Sequence, residues 1–516
     1  MAKRFHKLKK SAAGIFSRSL DLIEVFGNKL PHPASLFALL AGLVVLASWI
    51  STLLGLKAIH PIDGSEIVVK NLLSGDGLRW IYQNVTHNFV AFPPLGYVLA
   101  VMVGIGVAEG SGLFTVMIRS LVLGAPRRLI TASIVLSGII SHLASEAGYV
   151  ILIPLGAMIF HALGRHPMAG LAAAFCGVSG GFGANFLIGS VDPILAGLST
   201  SAAQIIDPQL VVNPAVNYYF MFISAVLVVL LGTWVTERIV EPRLGPYGGD
   251  AEKIPVTALS EMEKRGLRNA GWALLAVLLL FAIAVIPENG LLRNPQSGSF
   301  LHSPFLDGLI TGILLFFFIP GLVYGITVGS IRNDKDAVRH ITKSMSGLAG
   351  YIVLVFFAAQ FVYFFRFSNL GLIMAINGAE ALKNIGLTGV TLVAAFVLLS
   401  AFINMFMGSA SAKWAIMAPV FIPMFMLLDQ GYHPALTQAA FRIGDSVTNL
   451  ITPMMSYFAL IVTFAQKYDE KYGIGTIIST MIPYTVVFTF FWTLLLIAWM
   501  LFGLPLGPGG PIFLAR

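Results

Sequence analysis

The sequence predicts an all-α polytopic membrane protein with nine transmembrane helices and two re-entrant hairpins. Three observations predict it. Hydrophobic residues make up 57% of the 516 and charged residues only 11%, with a mean hydropathy of +0.85; a soluble protein carries about 25% charge. Uncharged runs recur along the chain, most of them near the ~20 residues that cross a bilayer as a helix. Two pairs of these runs are split by a single charge, and the stretches around the two splits resemble each other.

The elements follow in order. "MAKRFHKLKK" is basic, and residues 5–30 read as a basic amphipathic helix on the inner membrane surface. Residues 34–56 hold 23 residues without charge and no cleavage site follows, so they read as a retained first helix rather than a signal peptide. Further full spans are expected at 89–108, 167–191, 219–236, 269–287, 308–331, 344–365, much of 434–466, and from 475 onward. Runs 129–145 and 147–164 are separated only by Glu146, and runs 384–412 and 414–428 only by Lys413. A chain cannot surface and return on one residue, so each pair reads as a hairpin whose tip stays inside the membrane.

This reading divides the chain into a basic segment 1–32, the first helix with an outer loop 33–88, and a first repeat 89–236 containing hairpin 128–164. A cytoplasmic loop with scaffold helices, 237–343, precedes the second repeat 344–516 with hairpin 388–430. Of the 32 Lys and Arg, 23 fall in segments assigned to the inner side and seven to the outer, with Lys413 and Arg442 within the membrane. That asymmetry follows the positive-inside rule with a cytoplasmic N-terminus and an outer C-terminus. It also opens the first hairpin inward and the second outward. The net charge of +8 is thereby assigned to membrane flanks, not to nucleic-acid binding. The one cysteine, Cys176, excludes an intramolecular disulfide.

The two hairpins belong to a repeat. Copy one reads "SEAGYVILIPLGAMIFHALGRHPMAGLAAAFCGVSGGFGANFLIG", and copy two reads "SASAKWAIMAPVFIPMFMLLDQGYHPALTQAAFRIGDSVTNLITP". Tyr149 precedes Pro154 as Trp414 precedes Pro419. His166-Pro167 answers His433-Pro434, Phe175 answers Phe441, and Asn185 answers Asn449. Opposite orientation of two such copies is the usual build of a secondary transporter.

The helix after each hairpin is expected to break. "GVSGGFGAN" leads to Asp192 in "GSVDP", and "FRIGDSVTNLITP" carries Arg442, Asp445, Ser446, Thr448, Asn449 and Pro453. Unwound backbone at the midplane is tolerated only around a protein-lined cavity, and intramembrane charges are functional by default. Arg442 and Asp445, three apart, are expected to pair on one helix face, leaving Asp192 as the freer group that takes a coupling proton. Arg442 suits a carboxylate through paired N–H donors, and Trp414 offers a face to an aryl ring. Asn404, Ser409 and Asn449 supply oxygens suited to sodium. Lys413 is expected to snorkel toward the outer face. The histidines His142, His161, His166 and His433 lack metal-ligand spacing.

Two other classes bear comparison. "GVSG" matches the G-x-S-G of an intramembrane serine protease with Ser179 as nucleophile, but that chemistry has no use for paired hairpins or for Asp192 and Asp445. A channel can also be built on hairpins, yet a charged, asymmetric site suits occlusion of a solute better.

"SASAKWAIMAPVFIPM", "AAFRIGDSVTNLITPMMSYF", "SEAGYVILIPL" and "GRHPMAGLAAAFCGVSGGFGANFLIGSVDP" resemble the p-aminobenzoyl-glutamate transporter (AbgT) family of the bacterial inner membrane. The resemblance runs from "NKLPHPASLFALLAGL" to "LPLGPGGPIF". It implies a bowl-shaped homodimer, nine transmembrane helices and two hairpins per subunit. It further implies transport of p-aminobenzoyl-glutamate or export of sulfonamide antimetabolites, with no enzymatic activity and no cofactor beyond a coupling ion, Na+ or H+. The positions that match the family's motifs are Asp192, Asn404, Trp414, Arg442, Asp445 and Pro453.

Overall fold

The computed structural model describes residues 31–59, 64–144, 148–251, 258–300, 303–455 and 457–514. The expected surface helix at 5–30 and the Glu146 hairpin tip lie outside the described residues. We number the principal helices α1 (Pro33–Leu53), α2 (Gly75–Val90), α3 (Pro93–Gly110), α4 (Leu113–Leu123), α5 (Ile130–Ile140), α6 (Ile153–Ala162), α7 (Pro167–Phe175), α8 (Val191–Ala203), α9 (Tyr218–Val235) and α10 (Glu261–Val285). They continue with α11 (Leu309–Val328), α12 (Asp334–Ser346), α13 (Ala349–Phe367), α14 (Leu370–Asn384), α15 (Gly389–Asn404), α16 (Ala410–Met426), α17 (Pro434–Thr448), α18 (Phe458–Gln466) and α19 (Ile474–Leu501). One small antiparallel ribbon, β1 (Lys57–Ile59) with β2 (Glu66–Val68), follows α1.

Among the described residues, seven helical stretches are long and apolar enough to cross a membrane, or nine if each of two sharply bent pairs is one span. The seven correspond to expected spans. The other two expected spans, 167–191 and 434–466, are broken as anticipated: α7 runs through a π-helical turn, Cys176–Gly180, into a non-helical stretch before α8, and α17 stops before a turn that leads to α18. Glycines crowd the first break, and Pro453 follows Asn449, the C-cap of α17, in the second.

Four helices were not anticipated: α2 in the expected outer loop, α12 between the spans at 308–331 and 344–365, and α4 and α14 ahead of the hairpins. The segments 109–128 and 366–383 were expected to be loops, but they contain α4 and most of α14. These turn through 114° and 117° into the first arm of each hairpin. Arg119 in α4 and Glu380 with Lys383 in α14 end the uncharged runs by which spans were recognised, which hides helices that are otherwise apolar. The order of elements is then the same twice: bent pair, hairpin, interrupted helix, long helix.

The tip of the second hairpin also differs in place. It lies at 405–409, before α16, whereas Lys413 sits in the first turn of α16. Small residues, not the charge, mark the reversal. Ser409 caps α16 by accepting from Ala412 N, which satisfies one of the free amides of that helix start.

Close packing positions the site. A Cβ on Gly156 would stand 2.7 Å from Gly170 O, so α6 and α7 touch backbone to backbone. A Cβ on Gly321 would stand 2.6 Å from Ala108 Cα, joining α3 to α11. Small residues allow such approaches where no hydrophobic force between helices operates. Every residue of α7 and of α17 is buried. In α17 this includes Gln438, Arg442 and Asp445, so each polar group must find a partner inside the protein.

Candidate substrate and ion site

The two broken helices meet at α17. Its first partner is the glycine-rich stretch after α7: Gly183 N donates to Ser446 Oγ at 2.6 Å, and a Cβ on Gly183 would stand 2.7 Å from Arg442 O. The glycines of "GVSGGFGAN" thus let backbone lie directly on the charged turn of α17.

Two buried ion pairs flank this contact, and neither is the expected one. Arg442 Nη2 donates to Asp192 Oδ1 at the start of α8, while Lys413 Nζ pairs with Asp445 Oδ1. The expected Arg442–Asp445 pair is therefore corrected. Three residues along a helix turn about 300°, close enough for contact, but each side chain here points to a different neighbouring helix. Asp192 is accordingly not the freer carboxylate; its second oxygen accepts from Gly189 N at 2.7 Å. Lys413 does not snorkel. Its side chain is 0% exposed, and its ammonium also donates to Asn404 Oδ1.

Asn404 is the hub of the second cluster. Its Nδ2 faces Asp445 O at 2.7 Å, Asn449 Oδ1 at 2.8 Å and Thr448 Oγ1 at 2.9 Å. The end of the first hairpin arm is thereby tied to the end of α17. Of the three residues expected to offer oxygens to sodium, Asn404 and Asn449 come together, but Ser409 is occupied at the cap of α16 and bonds Ser411 Oγ at 3.3 Å. The carbonyl oxygen of Asn404 is already on the Lys413 ammonium. This donor set does not fit a sodium ion.

Trp414 is fully buried. Its ring stacks on Phe441 with centroids 4.5 Å apart, and Nε1 donates to Ser199 Oγ at 3.0 Å. The face expected to receive an aryl ring is covered by Phe441 in this conformation. Ser199 in turn donates to Gln438 Oε1 at 2.6 Å, and Gln438 Nε2 donates to Asn217 Oδ1 at 2.8 Å. Ser199, Gln438, Asn217 and the pairing role of Lys413 were missed by sequence reasoning; only the oddity of Gln438 inside an apolar repeat could have pointed to them. Tyr149, which matches Trp414 in the repeat, stacks on Tyr457 at 4.8 Å in the second break. Each hairpin thus packs on the interrupted segment of the other copy.

Pro453 is half-buried in the turn after α17, beside Thr452, whose Oγ1 donates to Met405 O at 3.1 Å. It stands with the hairpin tip rather than with the ion pairs. Ser179 is 0% exposed; its Oγ lies 3.2 Å from Tyr149 Oη and 3.0 Å from Met455 Sδ, so its side-chain partners are a phenol and a thioether. Neither partner is the histidine base expected of such a serine nucleophile.

A cavity of about 10 Å³ lies beside the first pair, lined by His142, Phe182, Asn185, Asp192, Met221 and Arg442. Arg442 Nε and His142 Nε2 have no hydrogen-bond partner. The space is near the lower limit for one water and is far too small for an aryl substrate, so this conformation is closed around the ion pairs.

Broken helices facing each other, sharply bent helix pairs and buried charges between them are the build of a membrane transporter. The comparisons with known proteins name it further. The model of the "AbgT putative transporter family" matches residues 18–514. The p-aminobenzoyl-glutamate transport protein of Escherichia coli strain K12 is 42% identical over 487 residues, covering 94% of this chain and 95% of that protein. The Alcanivorax borkumensis YdaH transporter, described as having an unusual topology, superposes with a TM-score of 0.88 at 44% identity over 93% of this chain and all of the other. Neisseria gonorrhoeae MtrF, described within a class of antimetabolite efflux pumps, superposes with a TM-score of 0.90 at 47% identity, over 95% of this chain and all of that one. The chain belongs to the AbgT family of membrane transporters, and it is not an enzyme.

Proposed function

We propose that this transporter moves p-aminobenzoyl-glutamate or aryl antimetabolites of the sulfonamide type across the bacterial inner membrane, driven by a cation gradient. The observation that carries the proposal is the buried Arg442–Asp192 pair between the two interrupted helices. A guanidinium held by a carboxylate of the protein is a site that can exchange that carboxylate for one of the substrate. When the substrate anion takes Asp192's place on Arg442, Asp192 is released as the group able to carry a coupling proton. The aryl ring would enter between Trp414 and Phe441 when α16 moves. Two similar proteins, the p-aminobenzoyl-glutamate transport protein of Escherichia coli and MtrF of the antimetabolite efflux pumps, support this substrate class.

The same reading places the N-terminus in the cytoplasm, sets the two hairpins in opposite orientations, and assembles the chain as a dimer with a complete site in each subunit. Its test is flux of radiolabelled p-aminobenzoyl-glutamate into proteoliposomes with proton and sodium gradients imposed one at a time. Saturable accumulation driven by one gradient is expected. Passive, non-saturable equilibration would replace the transporter reading by a channel.

A further inference from the structure

Asp445 is 2% exposed and Lys413 1%, among the most thoroughly buried charges of the described residues. The Lys413 ammonium sits between Asp445 Oδ1 and Asn404 Oδ1, two hard oxygens of the kind an alkali cation binds. Its position on α16 makes this costly in a second way. Lys413 lies in the first turn of that helix, where the helix dipole repels a positive charge. Nothing in helix formation calls for a lysine there, and the gain comes from the carboxylate of Asp445 and the amide oxygen of Asn404.

From this we infer that Lys413 is a tethered substitute for a bound cation: its ammonium fills a cation site made by Asp445 and Asn404, and it thereby makes this cluster independent of sodium. A buried carboxylate without a partner is strongly disfavoured. Removing the ammonium therefore leaves a charged oxygen cluster that recruits a free cation of similar size. The inference deepens the proposed cation coupling, resting on its placing of the charged site at α17, and it predicts that coupling does not run through sodium at Asp445.

The test uses the full chain, purified in mild detergent, with choline chloride replaced stepwise by sodium chloride at constant ionic strength. The wild type should melt at the same temperature in both salts. Lys413→Met should show a saturable, sodium-specific rise in Tm of about 2 °C or more and should retain 22Na+ in equilibrium binding. Lys413→Met combined with Asp445→Asn removes both charges and should fold yet bind no sodium. Sodium-specific stabilisation or 22Na+ retention by the wild type would overturn the inference. So would a Lys413→Met protein that folds but ignores sodium, or one that sodium fails to rescue while the double variant folds. None of these readouts depends on flux, so failure here is distinct from failure of the transporter reading, which proteoliposomes report.

Discussion

At the scale of single residues, two buried ion pairs tie α17 to α8 and to α16. Asp192 and Arg442 are 250 positions apart in sequence, and Lys413 reaches Asp445 from another helix. The residues themselves were legible, because a charge or amide at bilayer depth is conspicuous in an apolar chain. Their pairing depends on how each helix is rotated about its axis, which no local pattern encodes when, as in α17, every face is buried. Breaking the first pair should be expensive: Asp192→Asn is expected to cost about 3–5 kcal/mol of stability by leaving a buried guanidinium unpaired. Adding Arg442→Gln to that variant should restore much of the loss, measured by denaturant or thermal unfolding. Additive losses would show that the two side chains do not depend on each other. The same geometry sets substrate preference. Arg442→Lys keeps the charge but loses the planar pair of donors, so binding of a glutamyl substrate should fall by about tenfold or more while an uncharged sulfonamide changes little. Equal losses for both ligands in equilibrium binding would make Arg442 a structural residue only.

At the scale of elements, hairpins and breaks were legible from one feature, a charge or glycine cluster interrupting an apolar run. The helices α4 and α14 were not, because the same feature was read as a membrane exit. The contact between the first break and α17 makes a specific demand at Gly183. Alanine there would place a methyl 2.7 Å from Arg442 O and 2.6 Å from Ser446 Oγ, forcing the two interrupted helices apart. Gly183→Ala should therefore lower transport at least tenfold while Gly475→Ala, with open space around it, leaves transport unchanged. Normal flux in the Gly183 variant would mean that the break is slack enough to play no part in closure. The proposed opposite openings of the hairpins have a clean probe, since the native Cys176 is buried. Cysteines at the exposed positions Ala162 and Gln430 should react with an impermeant maleimide from the cytoplasmic and outer faces respectively. Reaction of both from one face would remove the inverted arrangement.

At the scale of the whole molecule, every residue of both ion pairs and of the Trp414–Ser199–Gln438–Asn217 chain comes from one polypeptide. In the proposed dimer the second subunit need not supply any of these side chains. What it would offer is a rigid frame. The helix α10 buries only Gly266, Ala270 and Val277, while Trp272, Leu279 and Ile283 are 66%, 53% and 69% exposed. Lipid tails are as apolar as these side chains, so exposure alone does not force association; a dimer must instead be held by packing over a long face, as α10 could provide. The expected mass in mild detergent is that of two chains, and Leu279→Arg on that face should reduce it to one. On the proposal of a complete site in each subunit, dimers that pair one active chain with one carrying Arg442→Ala should keep about half the flux of the wild type. Flux close to zero in such mixed dimers would mean that the subunits move as one body, and the site described here would then be half of the working unit.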